Sequence, residues 1–267
     1  MNRSLLSSQA GAVSAALILL SLAAGLYGWW VLPVEPIAVH FDVAGKPDGW
    51  MTPGLGLMLG PGIGALIWLM CLLLPIPPAT ALAVSLPIAG AEMLILGLAL
   101  GQSWNVTRVL TLLLGLTWII VGNSLGKLPR NDWAGIRTPW AKADEEVWAG
   151  TQRFGGWAFI AAGLVTLAMA AGPGIRLGQL MAPVAVAGGL SVLRSWQLWR
   201  RRHPGEAPSR KIGVMNLLIL GLALVPLLAV LAHRLGYLPS RWMVRLALGG
   251  AIAIIVATAI GKAKQTD

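Results

Sequence analysis

The residues that could do chemistry fall in three places along the chain. His40 lies close to Asp42 and Asp48, a lone Glu92 interrupts an apolar run, and Asp144 opens a short acidic run. One histidine with two carboxylates could bind a metal ion, but without helical spacing the pattern is weak. We therefore predict a structural turn and no metal site at the first place. The helices and loops of the chain must position these three groups of residues.

The composition is that of a membrane protein. Of the 267 residues, 57% are apolar and 11% are charged, and the mean hydropathy is +0.74. A soluble domain carries about 25% charged residues. This balance excludes a soluble enzyme, a secreted domain and a nucleic-acid-binding module. We expect the lipid bilayer as a partner and no direct contact with nucleic acid.

Eight apolar segments are long enough to cross a bilayer as helices, which takes about 20 residues each. Because no alternating barrel pattern is present, we predict an all-α bundle of about eight transmembrane helices. Pro87, Pro183 and Pro226 predict kinks in the third, sixth and seventh spans. The predicted spans are residues 10–32, 53–74, 80–101, 106–125, 154–171, 177–198, 212–232 and 242–261.

Basic residues orient the spans, because cytoplasmic loops carry an excess of Lys and Arg. Placing the N-terminus inside puts 14 of the 20 basic residues on that side, so we predict that both termini are cytoplasmic. The chain then divides into the first span at 1–32, an external loop at 33–52, spans two to four at 53–125, a cytoplasmic loop at 126–153, and spans five to eight with the tail at 154–267.

The external loop leaves the membrane in an extended form. Pro33 and Pro36 prevent the first helix from continuing. Apolar residues alternate over 37–41, which predicts a short strand, and residues 44–49 have the composition of a turn. The candidate residues of this loop are His40, Phe41, Gly45, Asp48 and Trp50.

The cytoplasmic loop contains a helix start. Gly135 marks a turn, and Thr138 before Pro139 is typical of the beginning of a helix. An apolar stripe from Val147 follows the i, i+4, i+7 spacing. It predicts a helix that lies on the inner membrane surface ahead of span five, with a simple interfacial connector as the alternative.

Two features lie inside the predicted membrane spans. An ionised Glu92 near mid-bilayer is expensive, so we expect it to face the bundle interior or a cavity. Two interpretations stay open: a site for a proton, an ion or a cationic peptide, or a protonated carboxyl bonded to a neighbouring helix. The spacing of Gly56, Gly60 and Gly64 predicts close helix packing, with a dimer face as the alternative.

An enzyme has little support in the sequence. No cofactor-binding or catalytic motif is present. His40 and the acids near residue 145 lie on opposite faces of the membrane in the predicted topology, so they cannot form one site. We predict that the protein is not an enzyme and has no cofactor.

A string of polar, aromatic and glycine residues runs from the end of span four into span five. It comprises Asn123, Arg130, Gly135, Arg137, Thr138, Pro139, Trp140, Glu146, Trp148, Arg153, Gly155 and Gly156. This string resembles the signature of the SdpI-type immunity membrane proteins, and the external loop resembles the uncharacterised domain that commonly precedes it. The resemblance covers about residues 10–175 and leaves the last three spans largely outside. One departure is Gln152, which stands where the family usually has His.

The resemblance implies a protein of the bacterial cytoplasmic membrane that protects its cell against a secreted, membrane-active peptide toxin. It also implies a signalling role in which the toxin-bound protein holds a transcriptional repressor at the membrane. We expect the external loop to meet the ligand and the cytoplasmic motif to act as the output. The alternative is a small transporter or lipid-handling protein that uses Glu92. The toxin and the oligomeric state stay open.

Overall fold

The computed structural model describes residues 3–42, 44–73, 77–131, 134–172 and 177–206. The predicted seventh and eighth spans, and the kink predicted at Pro226, lie outside the described residues. The chain divides into two compact units, residues 1–202 and 203–267. Only 203–206 of the second unit are described, and they form a turn in which the Glu206 N–H donates to the His203 carbonyl oxygen at 3.3 Å.

The first unit is mostly helical. A 3-10 turn, Leu177–Leu180, leads directly into the last described helix. The helices are α1 Arg3–Ser7, α2 Gln9–Val31, α3 Pro53–Leu73, α4 Pro78–Ala99, α5 Val106–Leu125, α6 Pro139–Ala143, α7 Glu145–Met169 and α8 Met181–Arg202.

Four of the described helices, α2 to α5, are long and apolar enough to cross a membrane. They coincide with the first four predicted spans to within two residues at each end. Helices α7 and α8 overlap the fifth and sixth predicted spans but do not belong to these four. A helical membrane protein is therefore confirmed, and the total of eight spans stays a prediction.

Local sequence explains where several helices begin. The Ser8 hydroxyl accepts from the Gly11 N–H ahead of α2, and the Asn105 side chain accepts from the Arg108 N–H ahead of α5. Such side chains satisfy backbone donors that a first helical turn leaves open. Pro183 is the third residue of α8, where it has no interior hydrogen bond to break. The interior kink predicted there is therefore wrong.

The segment between α2 and α3 folds as a hairpin, so the all-α prediction needs one correction. Strands β1 Ile37–Phe41 and β2 Pro47–Met51 pair antiparallel, with Ile37 opposite Met51. The strand predicted at 37–41 is confirmed. Residues 47–49 lie in β2 instead of a turn, because Pro47 opens the strand, where its missing N–H is tolerated. Gly45 supplies the turn with a φ of +79°.

The segment after α5 also differs from its prediction. A short helix, α6, begins after Thr138 as expected, but Asp144 then starts a second helix that runs without interruption from Glu145 to Met169. The predicted surface helix and span five are thus one element. Helix α7 packs against both α5 and α8, and it buries Val147 and Thr151 of the apolar stripe but leaves Phe154 exposed.

Glycines allow α5 and α7 to approach closely. A Cβ on Gly122 would lie 2.6 Å from the Gly156 carbonyl oxygen, and a Cβ on Gly163 would lie 2.7 Å from the Gly115 carbonyl oxygen. Backbone therefore rests on backbone over two helical turns, as small residues permit in membrane helices. This contact holds the two halves of the signature string together.

Candidate functional site

The signature string surrounds a buried tryptophan. Trp148 is 1% exposed and packs with Ala141, Val147 and Trp199. Its indole N–H donates to the Leu128 carbonyl oxygen at 2.8 Å. This bond ties the chain leaving α5 to the first turns of α7. We call the residues of 126–153 and the α8 residues that contact them the signature cluster.

Gln152 joins the loop to α7 with two hydrogen bonds. The Ile136 N–H donates to Gln152 Oε1 at 3.0 Å, and Gln152 Nε2 donates to the Ile136 carbonyl oxygen at 2.9 Å. Gly135 makes this approach possible with a φ of +102°, which a larger residue rarely adopts. A Cβ on Gly155 would clash with Ile136 Cδ1, so that glycine leaves room for the isoleucine. In this chain, the residue at the position of the family histidine therefore holds the loop against α7 by hydrogen bonds.

Thr138 connects the same loop to α8. Its hydroxyl accepts from the Ala141 N–H at 3.2 Å and so caps α6, while Pro139 takes the first helical position. Its Oγ1 also lies 2.6 Å from Ser195 Oγ in a buried contact. One side chain thus fixes both the start of a helix and its distance from α8.

Acidic and basic residues close the outer side of the cluster. Asp144 accepts from the N–H groups of Glu146 and Val147 at 2.8 and 3.0 Å, and the Arg202 Nε donates to it at 3.1 Å. Glu146 pairs with the same arginine. Burial alone would raise the pKa of Asp144, but the two N–H groups and Arg202 together hold that pKa below its usual value. The pKa of Arg202 is raised in turn, chiefly by its hydrogen bond to Asp144.

A second ion pair lies on the same surface. Arg130 Nε is 3.2 Å from Glu145 Oε2, and its guanidinium donates to the Lys142 carbonyl oxygen at 3.3 Å. Both side chains of the pair are largely exposed, so water screens the pair and it contributes little to stability. The pair connects the chain between α5 and α6 to the first turn of α7.

The signature residues separate into a buried and an exposed set. The buried or half-buried members are Gly135, Thr138, Pro139, Trp140, Trp148, Gly155 and Gly156. The exposed members are Asn123, Arg130, Arg137, Glu146 and Arg153. The first set builds the cluster, and the second set displays polar and mostly cationic groups at its surface.

Sequence reasoning missed the partners that lie on α8. Ser195 and Arg202 both contact the signature loop, although nothing in their local sequence marks them as part of it. A signal was present in the four-residue spacing of Ser191, Ser195 and Trp199, all of which are buried on one face of α8. That spacing identifies a packed face without identifying what packs on it.

The hairpin residues form a separate place. His40 Nδ1 lies 2.5 Å from Asp48 Oδ1, and both side chains are exposed. Asp42 accepts from the N–H groups of Ala44 and Lys46, each at 2.8 Å. The Lys46 N–H is the main reason why the pKa of Asp42 lies below its usual value. The described residues contain no group of three or more His, Cys, Asp or Glu that could hold a metal ion.

A cavity of about 490 Å³ lies beneath the hairpin. Its walls come from the end of α2, strand β1, the end of α4 and the start of α5, and they are mostly apolar. Phe41 and Gly45 of the candidate set line it, whereas His40, Asp48 and Trp50 do not. Glu35 is the acidic residue in its lining.

Glu92 is the third place, apart from the other two. Its side chain is 2% exposed, and Oε1 has no hydrogen-bond partner among the described residues. Helix α4 places the carboxyl beside Gly25 of α2 and Gly60 of α3; a Cβ on Gly60 would lie 2.6 Å from Oε2. Gly60 therefore makes room for a carboxyl, in addition to the close packing expected of its glycine spacing.

These features define a multi-pass membrane protein with an exposed hairpin at one place and a hydrogen-bonded loop cluster at another. The sequence profile of the SdpI/YfhL protein family matches residues 127–261, from the start of the signature cluster onward, and the chain belongs to that family. A domain of unknown function, DUF1648, matches residues 16–65, which include the hairpin. The family match extends through the last three predicted spans, so the expectation that they lie outside the resemblance is wrong.

The chain is also similar to a protein that has been given a function in its name. The chain is 26% identical over 162 residues to the immunity protein SdpI of Bacillus subtilis (strain 168), which covers 57% of this chain and 77% of that protein. No solved structure matches the chain. The similarity supports a bacterial, SdpI-like membrane protein.

Proposed function

We propose that the protein protects its cell against a membrane-active peptide toxin, or senses such a toxin. The observation that carries this proposal is the similarity to the immunity protein SdpI together with family membership. The proposed setting is the bacterial cytoplasmic membrane with both termini inside. The hairpin region, residues 33–52, then faces the toxin, and residues 126–153 face the cytoplasm.

The cavity beneath the hairpin is the proposed contact for the toxin. Its apolar walls, which include Ile37, Phe41 and Leu98, suit an apolar side chain of a membrane-active peptide. Glu35 adds a negative charge that favours a cationic peptide. The exposed Trp50 beside it provides an aromatic surface at the same end.

The exposed set of signature residues is the proposed output surface. Arg137 and Arg153 are exposed on a loop and helix that Gln152 and Trp148 hold in place. A cationic surface of fixed shape suits an acidic protein partner, and a transcriptional repressor is the partner that we propose. The buried set keeps this surface in shape without touching the partner.

Survival against a panel of secreted, membrane-active peptides tests the proposal. A deletion strain should be selectively sensitised, and wild type should restore survival. Arg137→Ala should fail to restore it, whereas Lys127→Ala, an exposed cation of the same loop outside the signature, should succeed. Membrane levels of each variant are compared by immunoblot. Equal survival of deletion and wild type across the panel would contradict toxin protection.

Thiol labelling tests the proposed orientation. In a Cys71→Ser background, Lys46→Cys on the hairpin should react with a membrane-impermeant maleimide in intact cells. Lys142→Cys should react only after lysis. Both lysines are exposed, so the protein itself should shield neither cysteine from the maleimide. The reverse labelling pattern would invert the topology and remove the cavity as an external toxin site.

A second candidate is a small transporter or lipid-handling protein that uses Glu92. The observation in its favour is a buried carboxyl oxygen without a partner among the described residues. Polar groups in this state are rare in membrane helices and concentrate at functional sites. Glu92→Gln should abolish transport at normal membrane levels, and a fully active variant would exclude this candidate.

A further inference from the structure

Pro61 removes a hydrogen bond from the middle of α3. Proline has no backbone N–H, so the carbonyl oxygen of Leu57, four residues earlier, loses its helical donor. That oxygen lies 2.6 Å from the position that a Cβ on Gly25 would take. The Oε1 atom of Glu92 lies 3.3 Å from the same position. A carbonyl and a carboxyl oxygen from two helices therefore converge on one glycine of a third.

The surroundings of this point contain further polar atoms without partners. Glu92 Oε1 is buried and has no hydrogen bond among the described residues, and the same holds for Ser21 Oγ. Ser21 precedes Gly25 by four residues, so the two lie on the same face of α2. Two buried polar side chains without partners among the described residues therefore belong to the neighbouring helices α2 and α4.

No cation of the described helices around Glu92 neutralises the carboxyl. Helices α2 and α3 carry no charged side chain, and Glu92 is the one charged residue of α4. The other titratable side chains of these helices are Tyr27, which is exposed, and Cys71, which packs with Leu5 near the opposite end. Arg108 of the neighbouring α5 is exposed. An ionised carboxylate would therefore be buried without a counter-charge from these helices, which is costly.

We propose that Glu92 is an exchangeable proton-binding site. In the protonated state, the carboxyl supplies an O–H donor, and the Leu57 carbonyl that Pro61 leaves open accepts it. One proton satisfies two buried groups and links α4 to α3 at the Gly25 contact. When the proton leaves, this link is lost and a bare carboxylate stays behind, so release is coupled to separation of the helices or entry of water. The site rests on neither function proposed above.

Infrared difference spectroscopy tests the proton directly. The full-length protein in lipid nanodiscs is titrated with acid and base, and its spectra are compared with those of Glu92→Gln, which keeps the shape of the side chain. Wild type should show a protonated carboxyl C=O stretching band that the variant lacks and that disappears reversibly as the pH rises. A band that is absent at every pH, or that persists unchanged into strongly alkaline buffer, would overturn the proposal.

The role of the Leu57 carbonyl is tested with two matched proline variants. Pro61→Ala restores a backbone N–H that occupies this carbonyl, so the protonated state loses its acceptor. The pH at which half of the band is lost should then fall by about one unit, the worth of one hydrogen bond. Pro87→Ala in α4 instead restores the donor for the Ala83 carbonyl and should leave the midpoint in place. Equal shifts in both variants would remove Leu57 from the site.

Discussion

Two glycine-lined helix contacts in this protein differ in what the glycines make room for. Between α5 and α7, Gly122 and Gly156 face each other's backbone, and a Cβ on either would lie within 2.8 Å of the other's carbonyl oxygen. Between α3 and α4, Gly60 instead borders the carboxyl of Glu92, and a Cβ there would lie 2.6 Å from Oε2. The first contact is closed by backbone and the second by a polar side chain.

The difference teaches that a small-residue pattern in a membrane helix does not by itself indicate a packing seam. Backbone contact leaves no space for change, because neither helix can give way without moving as a whole. A contact filled by a side chain can rearrange, because the side chain has rotamers. We therefore expect the α5–α7 contact to be structural and the Glu92 contact to be the place where the fold can respond.

The largest effect should come from adding a methyl group between the two backbones. Gly122→Ala would place a Cβ 2.6 Å from the Gly156 carbonyl oxygen and 2.7 Å from the Ile160 nitrogen. We expect a loss of about 1–3 kcal/mol in the free energy of unfolding, as in other overpacked cores. Denaturant titration in detergent micelles measures it. Gly62→Ala, whose Cβ meets nothing within 4 Å, is the control and should unfold like wild type or later.

A second prediction concerns Gln152 of α7, whose side chain bonds the backbone of Ile136. Gln152→Leu keeps the size but leaves the N–H and the carbonyl of Ile136 without partners, so we expect a loss of about 1–2 kcal/mol. Gln152→His should recover less than half of it, because the two ring nitrogens point apart and cannot pair with both groups of one residue. The same unfolding titration compares the three proteins. Full recovery by histidine would show that one hydrogen bond is enough.

A smaller effect is expected at Gly60. Gly60→Ala would place a Cβ 2.6 Å from Glu92 Oε2, but this atom ends a side chain that can rotate away. We expect a loss of about 1 kcal/mol or less in the free energy of unfolding. If this variant were as unstable as Gly122→Ala, the distinction between the two contacts would fail.

The smallest effect concerns Asp144, which caps the N-terminal end of α7, the helix that makes the first contact. Because the pKa of Asp144 in the folded protein lies below its ordinary value of 3.8, its charge stabilises the fold fully above that value. This contribution is lost as the pH falls below 3.8 and through the folded-state pKa. Wild type should therefore exceed Asp144→Asn in stability at neutral pH, and the difference should shrink in acid. A difference that grew on acidification would contradict the ion pair with Arg202.

Periodicity and composition were sufficient to predict where helices occur, but not to predict that α7 is continuous. Apolar runs located α2 to α5, and alternation located β1. Strand β2 was missed because Pro47, Asp48 and Gly49 are typical turn residues, and only pairing with β1 makes them a strand. The unbroken α7 was missed because Glu145, Glu146 and Arg153 resemble the polar face of a surface helix.

The candidate site was predictable where it is local in sequence. The helix start at Thr138 and the turn at Gly135 follow from residue type alone. The contacts of Thr138 with Ser195 and of Asp144 with Arg202 join residues more than 50 positions apart, so no local pattern could supply them. The opposed glycines of α5 and α7 each recur after seven residues, a visible signal, but their pairing depends on which helices become neighbours.

Because α7 is continuous, it is a single rigid element of the molecule. At 1.5 Å per residue, its 25 residues form a rod about 37 Å long. One end carries Asp144 and Trp148, and the middle is gripped by α5 at Gly156 and Gly163. Because the rod has no joint, the contact that fixes its middle also fixes its end. The position of Asp144, and with it the ion pair with Arg202, is therefore set by glycines more than ten residues away.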